Sequence, residues 1–232
     1  MKHRAVVFDL FGTLVRNFSR REYREVLAEV AAAVGAPAER FLLVWLETFP
    51  ERTLGGSPTV EGAIGQVCEL LGVKADDAQL ARAARTRLDY TRRHLAPREG
   101  AVETLAELRR RGLLTGLITD CTVEVPLLWG QTLLAPLIDA AVFSSVAHLR
   151  KPDPAIYHLL CEQLQVRPEE CVYVGDGGSR ELTGARRAGM RPVMLRAPGE
   201  DDEDVHRVDA EGWEGAAIAA LGDVLPLISG DE

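Results

Sequence analysis

The chain has 232 residues, of which 47% are hydrophobic, and a net charge of −8. That length suits one large domain or a core with a smaller one inserted, and the acidic balance argues against nonspecific nucleic-acid binding. No apolar run approaches the ~18 residues of a membrane span, and the N-terminus enters its first strand too soon for a signal peptide. The four cysteines, Cys68, Cys121, Cys161 and Cys171, have neither paired nor metal-ligand spacing. They read as reduced, buried residues of a cytoplasmic protein.

The first element, Ala5-Val6-Val7-Phe8, is a run of apolar residues that ends on Asp9, with Leu10-Phe11-Gly12-Thr13 after it. A strand buried on both faces reads this way, with its polar end at the carboxyl edge of a parallel sheet, where such sheets bind ligands. From Asn17 to Leu95 the pattern is helical. Helices are expected over Arg20–Val34, Glu39–Phe49, Thr59–Leu71 and Asp76–His94, with a glycine-rich loop from Pro50 to Pro58. The expected division is 1–15 and 96–232 for an α/β core and 16–95 for an inserted helical bundle.

After Pro97 strands and helices alternate. Helices are expected at Glu99–Arg111, Val123–Leu134 (broken near Pro126), Pro154–Leu164 and Arg180–Ala188. Strands are expected at Leu113–Thr119, Ala140–Phe143, Cys171–Gly175 and Pro192–Leu195. Glu200–Asp204 reads as a solvated charge run. A short edge strand and a last turn of helix follow Trp213. Two of the strands end on polar groups, Thr119-Asp120 and Asp176. Arg150-Lys151-Pro152-Asp153-Pro154 follows a third by a short loop, and Lys151 is one of only three lysines among 27 basic residues.

These four stretches, in this order and at these separations, resemble the haloacid dehalogenase superfamily of hydrolases and phosphotransferases. The resemblance implies a three-layer, Rossmann-like parallel sheet with an inserted all-helical cap over the active site. It makes Asp9 the nucleophile, Thr119 a hydroxyl donor to an anionic group, and Lys151 the neutralising cation. Mg²⁺ would be held by Asp9, the backbone carbonyl of Phe11, Asp176 and, in second rank, Glu181. Independently of the family, three converging carboxylates either retain protons or bind a cation, and an all-oxygen set suits Mg²⁺.

Thr13, Asp120 and Arg52 are candidates for substrate contact. Asp120 also reads as a helix N-cap, the preferred reading, and Arg52 as a surface arginine in the glycine-rich loop. Cys121, Trp45 and Phe49 read as packing residues.

One position departs from the phosphatase pattern. Phosphatases of the superfamily carry a second aspartate two residues after the nucleophile, and here that residue is Phe11. Phe11 cannot protonate a leaving group, an effect worth about 10²–10⁴-fold elsewhere. The haloacid dehalogenases have an aromatic residue there, need no metal, and have a Ser/Asn-rich loop where this chain has Gly175-Asp176-Gly177. The expectation is a Mg²⁺-dependent phosphatase of a small anionic metabolite. A 2-haloacid dehalogenase is the alternative, and a member that binds a phosphorylated ligand without turnover the third. A phosphonoacetaldehyde hydrolase ranks low, since the only lysine of the insertion is Lys74, in a link between helices.

Overall fold

The structure, a computed structural model, describes residues 3–198, 207–210 and 212–229. The 200–204 charge run lies outside the described residues. Six parallel strands form one sheet: β1 (Ala5–Phe8), β2 (Leu114–Thr119), β3 (Ala140–Phe143), β4 (Cys171–Gly175), β5 (Arg191–Leu195) and β6 (Ala216–Ile218). Their order is β3-β2-β1-β4-β5-β6. β1 is therefore central. Phe8 pairs with Leu117 on one side and Val174 on the other.

Alternate residues of β1 enter opposite layers, as the period of two requires. Val6 and Phe8 join one core with Leu105 and Leu108 of α6 (Ala101–Arg110) and with Val125 and Leu128 of α7 (Glu124–Trp129). Ala5 and Val7 join the other with Ile156 and Leu160 of α9 (Pro154–Leu164) and with Leu182 and Ala185 of α10 (Glu181–Arg187). Each fully buried large apolar side chain contributes about 1.5–3 kcal/mol, so the continuous apolar run of β1 specifies its central place.

Five helices stand between β1 and α6: α1 (Arg20–Ala33), α2 (Ala38–Glu47), α3 (Phe49–Arg52), α4 (Val60–Leu71) and α5 (Asp77–His94). Leu27, Phe41, Trp45, Ile64 and Val67 are buried in a third core of their own. Caps set the starts: Ser19 accepts from the N–H of Glu22, Thr59 from Gly62, and Asp76 forms a reciprocal box with Gln79. The expected helix over Glu39–Phe49 divides at Thr48. Its hydroxyl bonds back to the Val44 carbonyl at 2.8 Å, and Pro50 in the next turn has no N–H to continue the ladder.

The chain enters and leaves the inserted helices side by side. Val15 bridges Pro97, the Arg98 N–H donates to the Leu14 carbonyl at 2.9 Å, and the Arg98 side chain donates to the Gly12 carbonyl at 2.9 Å. A second tie lies deeper. Arg87 of α5 meets Glu124 of α7 at 3.0 Å, with side chains 4% and 2% exposed. Removing one partner of a buried pair leaves an uncompensated charge. Glu124→Gln is expected to lower stability by about 3–5 kcal/mol, read as a lower thermal midpoint; an unshifted midpoint would show that the pair contributes nothing.

Two further expectations are corrected, and one short helix is added that the sequence did not suggest. α7 does not break at Pro126, because proline in a first turn needs no N–H, and it stops at Gly130. A short helix after β3, α8 (Ser144–Ala147), has too few residues to show a period. Before α10, Ser179 and Arg180 take left-handed backbone angles, so the regular helix begins at Glu181. The edge strand after Trp213 is β6, and the last helix is α11 (Val224–Ser229).

Candidate active site

Asp9, Thr119 and Asp176 emerge from the ends of β1, β2 and β4, three neighbouring strands. The Asp9 N–H bonds to the Val174 carbonyl at 2.9 Å, which fixes the carboxylate at the sheet edge. Lys151 reaches the same place from the loop after α8. Its Nζ lies 2.5 Å from Asp9 Oδ1 and 2.6 Å from Glu181 Oε2. Asp9, Asp176 and Glu181 each offer an oxygen, all within 4.8 Å of one another. Thr13 Oγ1 donates to Asp9 Oδ2 at 3.5 Å.

Thr119 Oγ1 is buried without a hydrogen-bond partner. Buried hydroxyls are ordinarily satisfied, so this one is free to donate to a group entering the crevice.

The charges do not balance by themselves. Burial raises Asp9 to about 6, against the pull of Lys151 and with the push of Asp176. Burial, then the Asp9 charge, lifts Glu181 well above the carboxylate range. Burial would lower the Lys151 ammonium, but Asp9 and Glu181 outweigh it and hold it above its ordinary value. The Lys151 ammonium and the Arg207 guanidinium, which lies 3.0 Å from Asp176, face three carboxylates, so one negative charge is left in excess and the cluster keeps a proton or takes a further cation.

Glu181 is more deeply engaged than its sequence position suggests. It is fully buried; Oε2 accepts from Lys151 and from the Tyr173 hydroxyl at 2.8 Å, and Oε1 from the Gly177 N–H at 3.0 Å. A Cβ at Gly175 would come within 2.2 Å of Oε1, so the carboxylate fills the space that glycine leaves. Gly12, at φ +84°, does the same for Asp176: a Cβ there would stand 2.1 Å from its Oδ2. Asp176 Oδ1 accepts from the Gly178 N–H at 3.0 Å. Its Oδ2 accepts from Asn17 Nδ2 and Arg207 Nε, each at 3.0 Å. Asp209 holds the segment that carries Arg207 by accepting from the Thr183 N–H and hydroxyl at 3.0 and 2.7 Å.

Two readings of side chains are overturned. Asp120 does not cap a helix. Val123 occupies the N-cap of α7 without a side-chain bond, and Asp120 Oδ1 accepts the Lys151 N–H at 3.0 Å, tying the lysine loop to the end of β2. Arg52 is not a surface residue. It is 2% exposed, its guanidinium carbon lies 3.8 Å above the Trp45 ring, and Nη1 donates to Thr48 Oγ1. Trp45 is core, whereas Phe49 is 38% exposed. Cys121 is buried, and burial pushes its thiol up, away from nucleophilic chemistry. All four cysteines are free and buried.

Phe11 packs against Phe18, at the entry to the inserted helices. Its ring centroid lies 4.6 Å from that of Phe18, which stacks on Tyr90 at 5.4 Å. Sequence reasoning missed Asn17, Tyr173 and Arg207. Arg207 is one of many arginines beside a charge run, and nothing local marks it. Asn17 alone, close behind the first motif, offered a signal.

The family model for haloacid dehalogenase-like hydrolases matches residues 3–189. The chain is 25% identical over 205 residues to (S)-2-haloacid dehalogenase 4A of Burkholderia cepacia, covering 86% of each. It is 26% identical over 201 residues to N-acetylmuramic acid 6-phosphate phosphatase of Pseudomonas aeruginosa, covering 84% and 83%. The crystal structure of 2-haloacid dehalogenase from Pseudomonas syringae pv. Tomato DC3000 has the same fold, with a TM-score of 0.71, 24% identity and 98% of each chain covered. With a family match over nearly the whole chain and the family's motif residues gathered at one sheet edge, the protein belongs to the haloacid dehalogenase-like hydrolases.

Proposed function

We propose that this hydrolase is a Mg²⁺-dependent phosphatase of a small phosphorylated metabolite, with Asp9 as its nucleophile. The observation that supports it best is the meeting of Asp9, Asp176 and Glu181 oxygens within 4.8 Å. The donor set is all oxygen and in excess negative charge, so it fits Mg²⁺. Asp9, Asp176 and the Phe11 carbonyl would hold the ion. Glu181, with both oxygens engaged by Lys151, Tyr173 and the Gly177 N–H, serves better as the counter-charge that aims Lys151. Bound there, Mg²⁺ would neutralise charge on the phosphoryl group and the carboxylates.

Asp9 Oδ attacks phosphorus, and the bond from phosphorus to the leaving oxygen breaks, leaving an acyl phosphate on Asp9. Lys151 neutralises charge on the transferring group, and Thr119 donates its free hydroxyl to one of its oxygens. Water then releases phosphate and restores the carboxylate. With Phe11 in place of an acid, the leaving oxygen departs without a proton from that position, so good leaving groups are favoured.

A second reading has its own support. Arg207 and Asn17 already donate to Asp176, and Phe11 is aromatic. In a 2-haloacid dehalogenase Asp9 would attack carbon, the halide would leave without a proton, and water would cleave the ester. Two relatives that each cover more than four fifths of the chain are named for one reaction each. A panel of phosphate esters and haloacids, each with Mg²⁺ and with chelator, separates them: turnover of a haloacid in excess chelator, with none of any ester, would overturn the phosphatase. Asp176→Ala is expected to remove Mg²⁺ binding in calorimetric titration together with phosphatase turnover, since the ion would keep mostly water for ligands. Unchanged titration would remove Asp176 from the metal site.

A further inference from the structure

Asp176 already has a cation, supplied from 31 residues further along the chain. Arg207 Nε lies 3.0 Å from Asp176 Oδ2, with side chains 17% and 5% exposed. A short strap, residues 207–210, delivers it. The Asp209 N–H donates to the Gly177 carbonyl at 3.0 Å, in the loop that carries Asp176. The Asp209 carboxylate accepts from the N–H and the hydroxyl of Thr183, and Arg196 Nη2 donates to the Ala210 carbonyl at 2.9 Å. The Ala210 N–H closes the turn on the Arg207 carbonyl at 3.0 Å. Anchors at Gly177, Thr183 and Arg196 set this pair apart from a solvated one, which holds its geometry by its own weak attraction alone.

The strap and a metal ion call on the same atom. A carboxylate has about four lone-pair sites, two on each oxygen. Asp176 Oδ2 accepts from Asn17 Nδ2 and from Arg207 Nε, so its sites are filled, while Oδ1 accepts from the Gly178 N–H. A cation ligated by Oδ2 must displace one of the two donors. Asn17 is neutral, whereas the guanidinium repels the incoming ion.

The charges point the same way. With the three carboxylates ionised, as a metal requires, Lys151 and Arg207 leave one negative charge unmatched. A divalent ion added beside Arg207 would leave one positive charge in excess. One that takes the place of Arg207 leaves none. Unmatched buried charge is costly, so exchange is favoured over addition.

We infer that Arg207 is a built-in competitor of the divalent cation, and that Mg²⁺ binds Asp176 only as the strap gives up its guanidinium. The inference rests on the proposed metal site at Asp176, not on the reaction carried out there. Without metal, the guanidinium supplies the counter-charge that lets Asp176 stand beside Asp9. The 207–210 strap thereby sets metal affinity, although none of its residues is a ligand.

Calorimetric titration of Mg²⁺ into protein stripped with chelator tests this without turnover. Arg207→Gln removes the charge and keeps a polar side chain. It is expected to bind Mg²⁺ tighter by about tenfold or more, the scale of a hydrogen bond to a charged group. Arg207→Lys, which keeps the charge without the planar fork, should lie between. Asp209→Ala, which frees the strap from Thr183, should shift affinity in the same direction by less. Arg40→Gln, at an exposed arginine of α2, makes the same change in net charge and should alter nothing. Thermal midpoints give a second reading. Without metal, Arg207→Gln should melt below wild type, because Asp176 loses its partner. On addition of Mg²⁺ its midpoint should rise by more than that of wild type, as tighter binding requires. A merely structural ion pair predicts the lower midpoint without the larger rise. Mg²⁺ affinity in Arg207→Gln that is unchanged or weaker, including an absence of binding in both proteins, would overturn the inference. Asp176→Ala tells that failure from failure of the metal site. Binding lost in Asp176→Ala but unimproved in Arg207→Gln removes the competitor and keeps the site, whereas binding retained in Asp176→Ala removes both. Tighter binding in Arg207→Gln with no ester turned over by either protein leaves the competitor standing and removes the phosphatase.

Discussion

Asp9→Asn is expected to abolish turnover, by on the order of 10⁶-fold, the scale at which deletion of a covalent nucleophile is felt. An amide oxygen of nearly the same shape is a poor nucleophile, and the fold should survive because Lys151 keeps Glu181 at 2.6 Å. The variant also predicts a change in stability with a definite sign. Asp9 is held at about 6 by burial, against an unfolded value near 3.8. In metal-free protein its contribution is fully present below the unfolded value. It is lost as pH rises from about 4 to 6, because the unfolded chain gives up the proton first. Asp9→Asn should lack that decline. Thermal midpoints in chelator at pH 4 and 6.5, wild type against variant, read it directly. Near-normal activity of Asp9→Asn, with mass spectrometry excluding deamidation, would assign the nucleophile elsewhere.

Phe11→Asp carries the second large effect. A carboxyl group here is expected to raise turnover of poor-leaving-group esters more than that of aryl or acyl phosphates. The ceiling is about 10²–10⁴-fold, the worth of a positioned acid. The observed packing lowers that ceiling. The Phe11 ring lies 4.6 Å from Phe18, and losing an aromatic pair costs about 0.5–1.5 kcal/mol beyond buried area. The new carboxylate must also turn from that apolar wall towards Asp9. A leaving-group series on both proteins gives the test: the slope of rate against leaving-group pKa should flatten in Phe11→Asp. An unchanged slope would mean that another group already supplies the proton.

The central strand and the crevice were legible in the sequence because parallel sheets put their strand ends in one place. An apolar run ending on Asp9, another ending on Thr119 and a third before Asp176 determine three positions from local pattern alone. Lys151 was legible through its motif and its rarity among the basic residues, though not its grip on Glu181. What escaped depends on contacts between segments far apart in the chain. Arg52 looked solvated because arginines in glycine-rich loops usually are, yet the helical break at Thr48 turns it under Trp45. Asp120 looked like a cap because its neighbours continue into a helix. Its bond to the Lys151 backbone is a link across two strands that no window of sequence contains. Arg207 reaches Asp176 only because Asp209 is fastened to α10.

The contact of Phe11 with Phe18 bears on how such proteins diversify. In chain order Phe11 belongs with the nucleophile, and Phe18 with the approach to the inserted helices. Packed together, they cannot vary independently. A lineage that exchanged its helical insertion at residue 16 for that of a relative would inherit an aromatic face without its mate, beside the bond from Arg98 to the Gly12 carbonyl. A functional chimera should therefore need its junction before Phe11, so that the choice of leaving-group chemistry travels with the choice of insertion as one heritable block.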